Sequence, residues 1–254
     1  MDARPAGDLL GNNLLRALRP TDWSLLQDYL EQWSAAGGCI LHEPGDVVHH
    51  AYFPCGSSLV SYLVVLGDGR AIETALVGRE GAVGGIVSQG RLPAYARAEV
   101  QIGGSFLRID LRRLEDLKSR SPSLRYLFAR YADCLMAQTF QSVACNAAHS
   151  IEQRTAKWLL AAIERTGKID LELTQEHLAA MLGVGRSYLS RVIHDLRSRQ
   201  MIETRRGRIA VNSIEKLRPL ACECNAAVSH HFEEVLSGVY PTEENGTAPE
   251  YERT

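Results

Sequence analysis

Arg186, Ser187, Ser190 and Arg191 stand close together in the stretch LTQEHLAAMLGVGRSYLSRVIHDLRSRQMIETRRGRIAVN. At 100° per residue a helix gathers these four along one arc and turns Leu189, Val192, Ile193 and Leu196 to the other. Guanidinium forks beside short hydroxyls suit one chemistry in particular. Arg186 and Arg191 can each offer paired donors to a guanine edge, Ser187 can touch an adjacent base, and Ser190 and Thr174 can reach phosphates. Downstream, Arg206 and Arg208 flank Gly207 and are placed to grip a nucleic-acid backbone.

Positioning such a face takes three elements. Thr174 caps a short helix whose Leu178, Ala179, Met181 and Leu182 point inward; Gly183 breaks it; a second helix runs from Arg186 to about Arg199. Two short helices joined by a glycine turn make a helix-turn-helix, and the N-terminal end of the second is the part that enters a major groove. MIETRRGRIAVN then reads as strand, tight basic turn, strand, a wing. His177 reads as a surface residue of the first helix and not as a reader of bases. Between residues 184 and 218, nine basic side chains face three acidic ones, a local excess of six in a chain whose net charge is −2. Positive charge is concentrated where a polyanion would lie and withheld elsewhere.

Upstream, residues 39–108 alternate short β-branched or aromatic runs with turn signals at Pro44-Gly45, Pro54, Gly67-Asp68-Gly69 and Gly78, the cadence of a barrel or roll. VVLGDGRAIE is a hairpin signal. Short helices lead in over NNLLRALRPTDWSLLQDYLEQW, with Thr21 as a cap. From Ser121 to Ala147, with Pro122 in the first turn, Leu124, Phe128, Tyr131, Leu135, Gln138, Ser142 and Cys145 follow at gaps of four and three. That seam predicts a helix of about 40 Å with a partner helix along Leu124–Ser142. Ser150 and Gln153 form a capping box for a further helix ending at Gly167. The fold class is α+β: an N-terminal roll over 1–120, a long dimerisation helix over 121–147, a winged helix-turn-helix with an extra C-terminal helix over 148–236, and a loose tail over 237–254.

In this order the chain resembles the Crp/Fnr family of bacterial transcription regulators, from residue 12 to about 220. LTQEHLAAMLGVGRSYLSRVIHDLRSRQMI is similar to that family's DNA-binding signature, with Ser187 and Tyr188 where glutamate and threonine are more usual. EPGD, YFP, DGR and VGREGAVGG are similar to its cyclic-nucleotide-binding-like jelly roll. The resemblance implies a homodimer joined along the long helices and reading a palindrome in double-stranded DNA, with half-sites about 34 Å apart. RNA polymerase is a further expected partner, with activator and repressor both open as the role. Members that bind cyclic AMP cradle it with a Gly-Glu-Leu segment and an Arg-Ser pair. The matching effector-pocket positions here are Gly81, Ala82, Val83 and Gly84 with Leu92 and Pro93, so both charged partners are missing and cyclic AMP is not the expected effector. Arg91 and Arg97 are the nearest substitutes, with Arg97 read as pointing outward from its strand. The alternative reading is a ligand-binding signalling module whose helix-turn-helix meets protein.

Other classes find less footing. No glycine-rich phosphate loop, metal triad or nucleophile elbow emerges, so an enzyme is not expected. The composition, 45% hydrophobic and 23% charged, is that of a globular protein without a membrane-spanning run, and the cytoplasm is the expected location. Cys39, Cys55, Cys134, Cys145, Cys222 and Cys224 read as buried free thiols. No cysteine precedes Cys39 to hold an iron–sulfur cluster, and His49-His50 read as a solvated strand end in place of a haem ligand. Cys222 and Cys224, followed by His230 and His231, carry the only hint of metal spacing; no metal or other cofactor is expected.

Overall fold

A computed structural model describes residues 11–86 and 92–237. Arg91 and the tail beyond Ser237 lie outside the described residues. The order of elements is α1 (Asn13–Arg16), α2 (Pro20–Leu26), β1 (Glu31–Ala35), β2 (Ile40–His42), β3 (His50–Pro54), β4 (Leu59–Val65), β5 (Ala71–Val77), β6 (Arg97–Ile102), β7 (Gly104–Asp110), α3 (Leu111–Arg120), α4 (Pro122–Ala148) and α5 (Ile151–Thr166). Then come β8 (Asp170–Leu171), α6 (Gln175–Met181), α7 (Arg186–Ser198), β9 (Ile202–Arg205), β10 (Arg208–Val211), α8 (Ile214–Leu217) and α9 (Cys224–Ser237).

Two antiparallel sheets, β1-β7-β3 and β2-β6-β4-β5, make the roll. Val60, Val77, Val83, Ala98, Val100 and Phe106 fill its interior, as period-2 alternation on facing strands requires. The GDG turn closes the β4–β5 hairpin as expected: Val65 pairs with Ala71, and Gly69 takes the positive φ of 84° that a Cβ would resist. Thr21 does not cap α2. That helix starts on Pro20, whose fixed φ suits a first turn, and Arg19 is the cap residue.

α4 is capped by the Ser121 side chain, which accepts from Leu124 N, and at 27 residues it is about 40 Å long. One side of it seals a core of Leu14, Phe53, Leu114, Leu127, Phe128 and Tyr131 beneath the roll. The expected dimer seam lies on this side. Leu124, Phe128, Tyr131 and Gln138 are buried against the chain's own roll, Leu135 and Ser142 partly so. Gln138 satisfies its amide on the Leu76 carbonyl at 3.0 Å, which lets a polar residue sit inside the seam. The open side of α4 is the opposite one, where Met136, Phe140 and Val143 are exposed. The extra helix α9 lies chiefly along α4, with the Phe232 ring edge-on to Tyr131 and the Val235 carbonyl held by Arg130, and it meets the winged domain through Asn225, which bonds Glu164 and Arg165 of α5.

The expected capping box at Ser150 and Gln153 is formed, and α5 ends on Gly167 in the left-handed region. Leu189, Ile193 and Leu196 of α7 join Trp158, Leu178, Met181, Ile202 and Ile209 in one core, and that core continues onto Leu59, Leu63 and Leu76 of the roll. The winged domain is therefore docked on the outer surface of the β4–β5 sheet. Across this contact the buried Glu73 carboxylate accepts from Trp158 Nε1 at 2.9 Å and from the Ser61 hydroxyl, and burial pushes its pKa up.

Candidate nucleic-acid interface

The helix-turn-helix is built by α6, the turn at Gly183 and α7. Thr174 Oγ1 accepts from His177 N at 3.0 Å and starts α6; its hydroxyl hydrogen is still available to an outside acceptor. Gly183, at φ 69°, turns the chain, and its Cβ position lies 3.0 Å from Ile72 of the roll. Buried Arg154 of α5 donates to the Leu182 carbonyl at 2.7 Å and fixes the end of α6. Gly185 precedes α7 without a side-chain cap, which leaves first-turn N–H groups pointing outward.

With Leu189, Ile193 and Leu196 buried, Arg186, Ser187, Tyr188, Arg191 and His194 face solvent and Ser190 is half-buried. The Arg191 guanidinium lies 5.3 Å over the Tyr188 ring, a cation–π contact that limits where the fork can swing. Arg186 sits 3.7 Å from Glu176, with both side chains 73% exposed, a pairing that solvent weakens and a phosphate or guanine would displace. Ser190 Oγ is 3.4 Å from Gln175.

At the wing, Arg205 pairs with Arg208 across a two-residue turn of Arg206 and Gly207, the glycine at φ 72°. Here the expected roles divide. Arg206 is exposed at the tip. Arg208 is drawn back by two carboxylates, Asp170 at 3.0 Å and Glu172, so its charge is compensated within the chain. Arg199 is likewise held by Glu152 at 2.9 Å and Asp195 at 3.2 Å. The recognition side keeps Arg186, Arg191 and Arg206 outermost.

The expected effector positions look different. Ala82 and Val83 are fully buried. Asn12 Nδ2 donates to the Gly81 carbonyl at 2.8 Å, the Tyr131 hydroxyl donates to the Ala82 carbonyl at 3.0 Å, and Gly84 N donates to the Tyr62 hydroxyl oxygen at 2.9 Å. A Cβ on Gly81 would lie 2.1 Å from the Tyr131 hydroxyl, so that phenol occupies the space above the glycine. Burial pushes the Tyr62 and Tyr131 phenols up, and both stay neutral, Tyr131 as a donor and Tyr62 as an acceptor. Leu92 is 55% exposed and Pro93 bridges to Val47. Arg97 is committed to Glu43 at 2.9 Å and Glu99 at 3.7 Å on the outer surface, as its strand position implies.

All six cysteines are free. Four are buried, while Cys39 and Cys55 are half-buried. Cys145, His149, Cys222 and Cys224 bring their ligand atoms together, a grouping the sequence reading misses. His230, expected near Cys222 and Cys224, instead faces Glu234 at 3.4 Å in solvent. The spacing Cys145-x-x-x-His149 at the end of a helix was the available signal, since i and i+4 share a face.

A recognition helix with an arginine and serine face, a glycine turn and a basic wing define a winged helix-turn-helix DNA-binding protein. Residues 153–220 match the Crp-like helix-turn-helix domain. The fold is similar to FixK2 from Bradyrhizobium japonicum, at TM-score 0.64 and 16% identity over 76% of this chain and 98% of that one. It is similar also to CLP from Xanthomonas campestris, the c-di-GMP responsive global regulator, at TM-score 0.62 and 16% identity over 77% of this chain and 100% of that one. A third is a CRP/FNR-family regulator from Thermus thermophilus, at TM-score 0.58 and 23% identity over 75% and 97% of the two chains. No curated protein sequence matches the chain. Residues 153–220 thus carry a Crp-like helix-turn-helix domain, and the fold as a whole is like that of the regulators just named; no helix among the described residues is long and apolar enough to cross a membrane.

Proposed function

We propose that this protein binds a palindromic DNA site as a homodimer, with α7 of each protomer in successive major grooves about 34 Å apart, and that cyclic AMP does not control it. One observation carries the reading: α7 turns Arg186, Ser187, Ser190 and Arg191 outward beside a wing whose tip is Arg206, while its apolar side is wholly committed to the core. Arg186 and Arg191 read guanines, Ser187 meets a neighbouring base, and Thr174, Ser190 and Arg206 hold phosphates. In this reading residues 1–120 sense, 121–147 join protomers and 148–236 bind DNA. The protein works in the cytoplasm beside RNA polymerase.

The joining surface is the open side of α4. Ala129, Met136, Phe140, Val143 and Ala147 fall into a heptad there, with Asp133 completing the register, and the three largest are at least half exposed. A second copy of the same helix is the partner such a seam fits, since a two-fold axis makes one apolar stripe complementary to itself. Cyclic AMP control is disfavoured because Leu92 replaces the arginine a phosphate would need and Tyr131 fills the space over Gly81.

The test is selection of bound fragments from random DNA, followed by mobility shift in a salt series. Recovery of an inverted repeat, bound with affinity that falls steeply as salt rises, is expected. Failure to enrich any sequence at low ionic strength would sink the reading.

A further inference from the structure

The junction between α4 and α5 holds a second set of chemistry-bearing side chains. Cys145 lies in the last turn of α4, and His149, four residues on, is where that helix ends, in extended backbone at φ −109° and ψ 145°. Cys222 and Cys224 return from far along the chain to the same place, Cys224 as the first residue of α9. The three sulfurs and an imidazole nitrogen all lie within 4.8 Å of one another. The sulfurs of Cys145 and Cys222 are 3.7 Å apart, and Cys224 Sγ is 3.5 Å from His149 Nδ1. A tetrahedral zinc ion with Zn–S near 2.3 Å and Zn–N near 2.05 Å has an S···S edge of about 3.8 Å and an S···N edge of about 3.6 Å. Two edges of that tetrahedron are already drawn by the protein.

Polar donors gather around the sulfurs. The three cysteines pack on one another as a patch separate from the larger apolar clusters. Gln141 Nε2 points at Cys224 Sγ from 3.1 Å and Lys157 Nζ at Cys145 Sγ from 3.6 Å. Arg154 also lies close enough to feel charge on Cys145 and Cys222. Glu223 Oε1 stands 3.6 Å from His149 Nε2, behind the ring. A carboxylate near the far nitrogen of an imidazole favours a proton there, which leaves Nδ1 free to ligate, and N–H donors to sulfur are what coordinating thiolates attract. Aliphatic neighbours would have served a purely structural set of thiols better.

We propose that Cys145, His149, Cys222 and Cys224 bind one zinc ion in a closed tetrahedral site. On binding, each cysteine releases its proton to solvent, His149 ligates as neutral imidazole through Nδ1, and its Nε2–H faces Glu223. Three thiolates and Zn²⁺ leave one negative charge, which Lys157 and Arg154 offset. The site joins the end of α4 to the start of α9 at the point where the chain turns into the winged domain. Arg154 links it onward, since the same guanidinium holds the Leu182 carbonyl at the end of α6. The ion clamps the direction in which α5 and the helix-turn-helix leave α4.

The experiment uses the full chain, expressed with zinc supplied and purified without chelator. Elemental analysis is expected to find about one zinc per chain, and cobalt substitution to give sulfur-to-cobalt charge transfer with the intense visible bands of a tetrahedral ion. Cys222→Ser should lose the metal while Cys39→Ser, outside the cluster, keeps it. Because Cys222→Ser can unfold, the unmodified protein supplies the second readout: a strong chelator should lower its Tm by several degrees and added zinc should restore it. Metal-free protein whose cobalt spectrum is octahedral and whose Tm ignores zinc would overturn the proposal. So would a Cys145–Cys222 disulfide that, once reduced, still takes up no zinc.

Discussion

The exposed face of α7 and the buried segment Gly81–Gly84 both carry polar groups, yet they end in opposite states. On α7 the guanidiniums of Arg186 and Arg191 have only a solvated carboxylate and a tyrosine ring for company. At Gly81–Gly84, two carbonyls and an N–H are matched within the chain by Asn12, Tyr131 and Tyr62. A face whose donors are unmet gains on binding a partner; one whose groups are already paired must break those pairs first. Tyr131 belongs to α4, so anything entering over Gly81 would have to move a side chain of the helix proposed to join the protomers.

The largest effect is expected where the contrast concerns assembly. Phe140→Glu puts a carboxylate from each protomer into the open seam of α4 and is predicted to give monomers by sedimentation. Affinity for a palindrome should fall about a hundredfold or more, because two half-sites no longer bind as one. A dimer that survives the change would move the interface elsewhere.

Next comes the division within the arginines. Arg191→Ala is predicted to cost roughly 1–3 kcal/mol of specific binding, a ten- to hundredfold loss in mobility shift with discrimination relaxed at one base position. Arg208→Ala is predicted to change affinity only slightly, because Asp170 and Glu172 already compensate its charge. Equal losses at the two sites would erase the distinction drawn between the outermost arginines and the retained ones.

The closed segment is tested by stability in place of binding. Gly81→Ala forces a Cβ against the Tyr131 phenol, and overpacking of this kind costs about 1–3 kcal/mol. For a chain of this size that lowers Tm by roughly 2–4 °C per kcal/mol. Tyr131→Phe gives up one buried hydrogen bond and leaves the Ala82 carbonyl unmatched, about 1 kcal/mol. Cyclic AMP added to the unmodified protein is expected to leave Tm unchanged; a rise of several degrees would show the segment can open.

How much of this was legible in the sequence depends on the range of the interaction concerned. The capping box at Ser150, the turn at Gly69 and the break at Gly183 rest on neighbours a few residues away, and they stand where periodicity and turn chemistry place them. The long helix was legible but its phase was not. Leu124–Phe128–Tyr131–Leu135 and Met136–Phe140–Val143 are both apolar at gaps of four and three, and no local rule says which meets the roll. The polar Gln138 is accommodated in the buried seam because the Leu76 carbonyl, 62 residues away, accepts from its amide. Arg208 is retained by acids 36 and 38 residues upstream, and Cys145 meets Cys222 across 77 residues. Such pairings follow from how the winged domain and α9 fold back on the roll and α4, which spacing along the chain does not encode.

The smallest effect concerns the docking of that winged domain, and it depends on pH. His177 of α6 meets Glu99 of β6 at 3.1 Å, with Glu176 beside it and Arg97 on the far side of Glu99. The hydrogen bond to Glu99 raises the His177 pKa above its ordinary 6.5, against the opposing pull of burial. A raised pKa means the folded chain holds this proton more tightly than the unfolded one. The gain is complete below pH 6.5 and fades as pH climbs through the raised value. His42 runs the other way: burial lowers its pKa, outweighing Asp46 and Glu43, so its contribution is complete above 6.5 and is lost as pH falls through the lowered value. The two histidines thus act in adjoining windows, and Tm followed across them should show a shallow maximum near the ordinary histidine pKa. His177→Ala should remove the decline on the alkaline side and leave the acid side untouched. The change will be small, since the His177 side chain is 42% exposed and solvent screens the pair. If the alkaline slope persists in that variant, the contact between α6 and the roll takes nothing from His177, and the apolar core with the Trp158–Glu73 hydrogen bond holds the domains together without it.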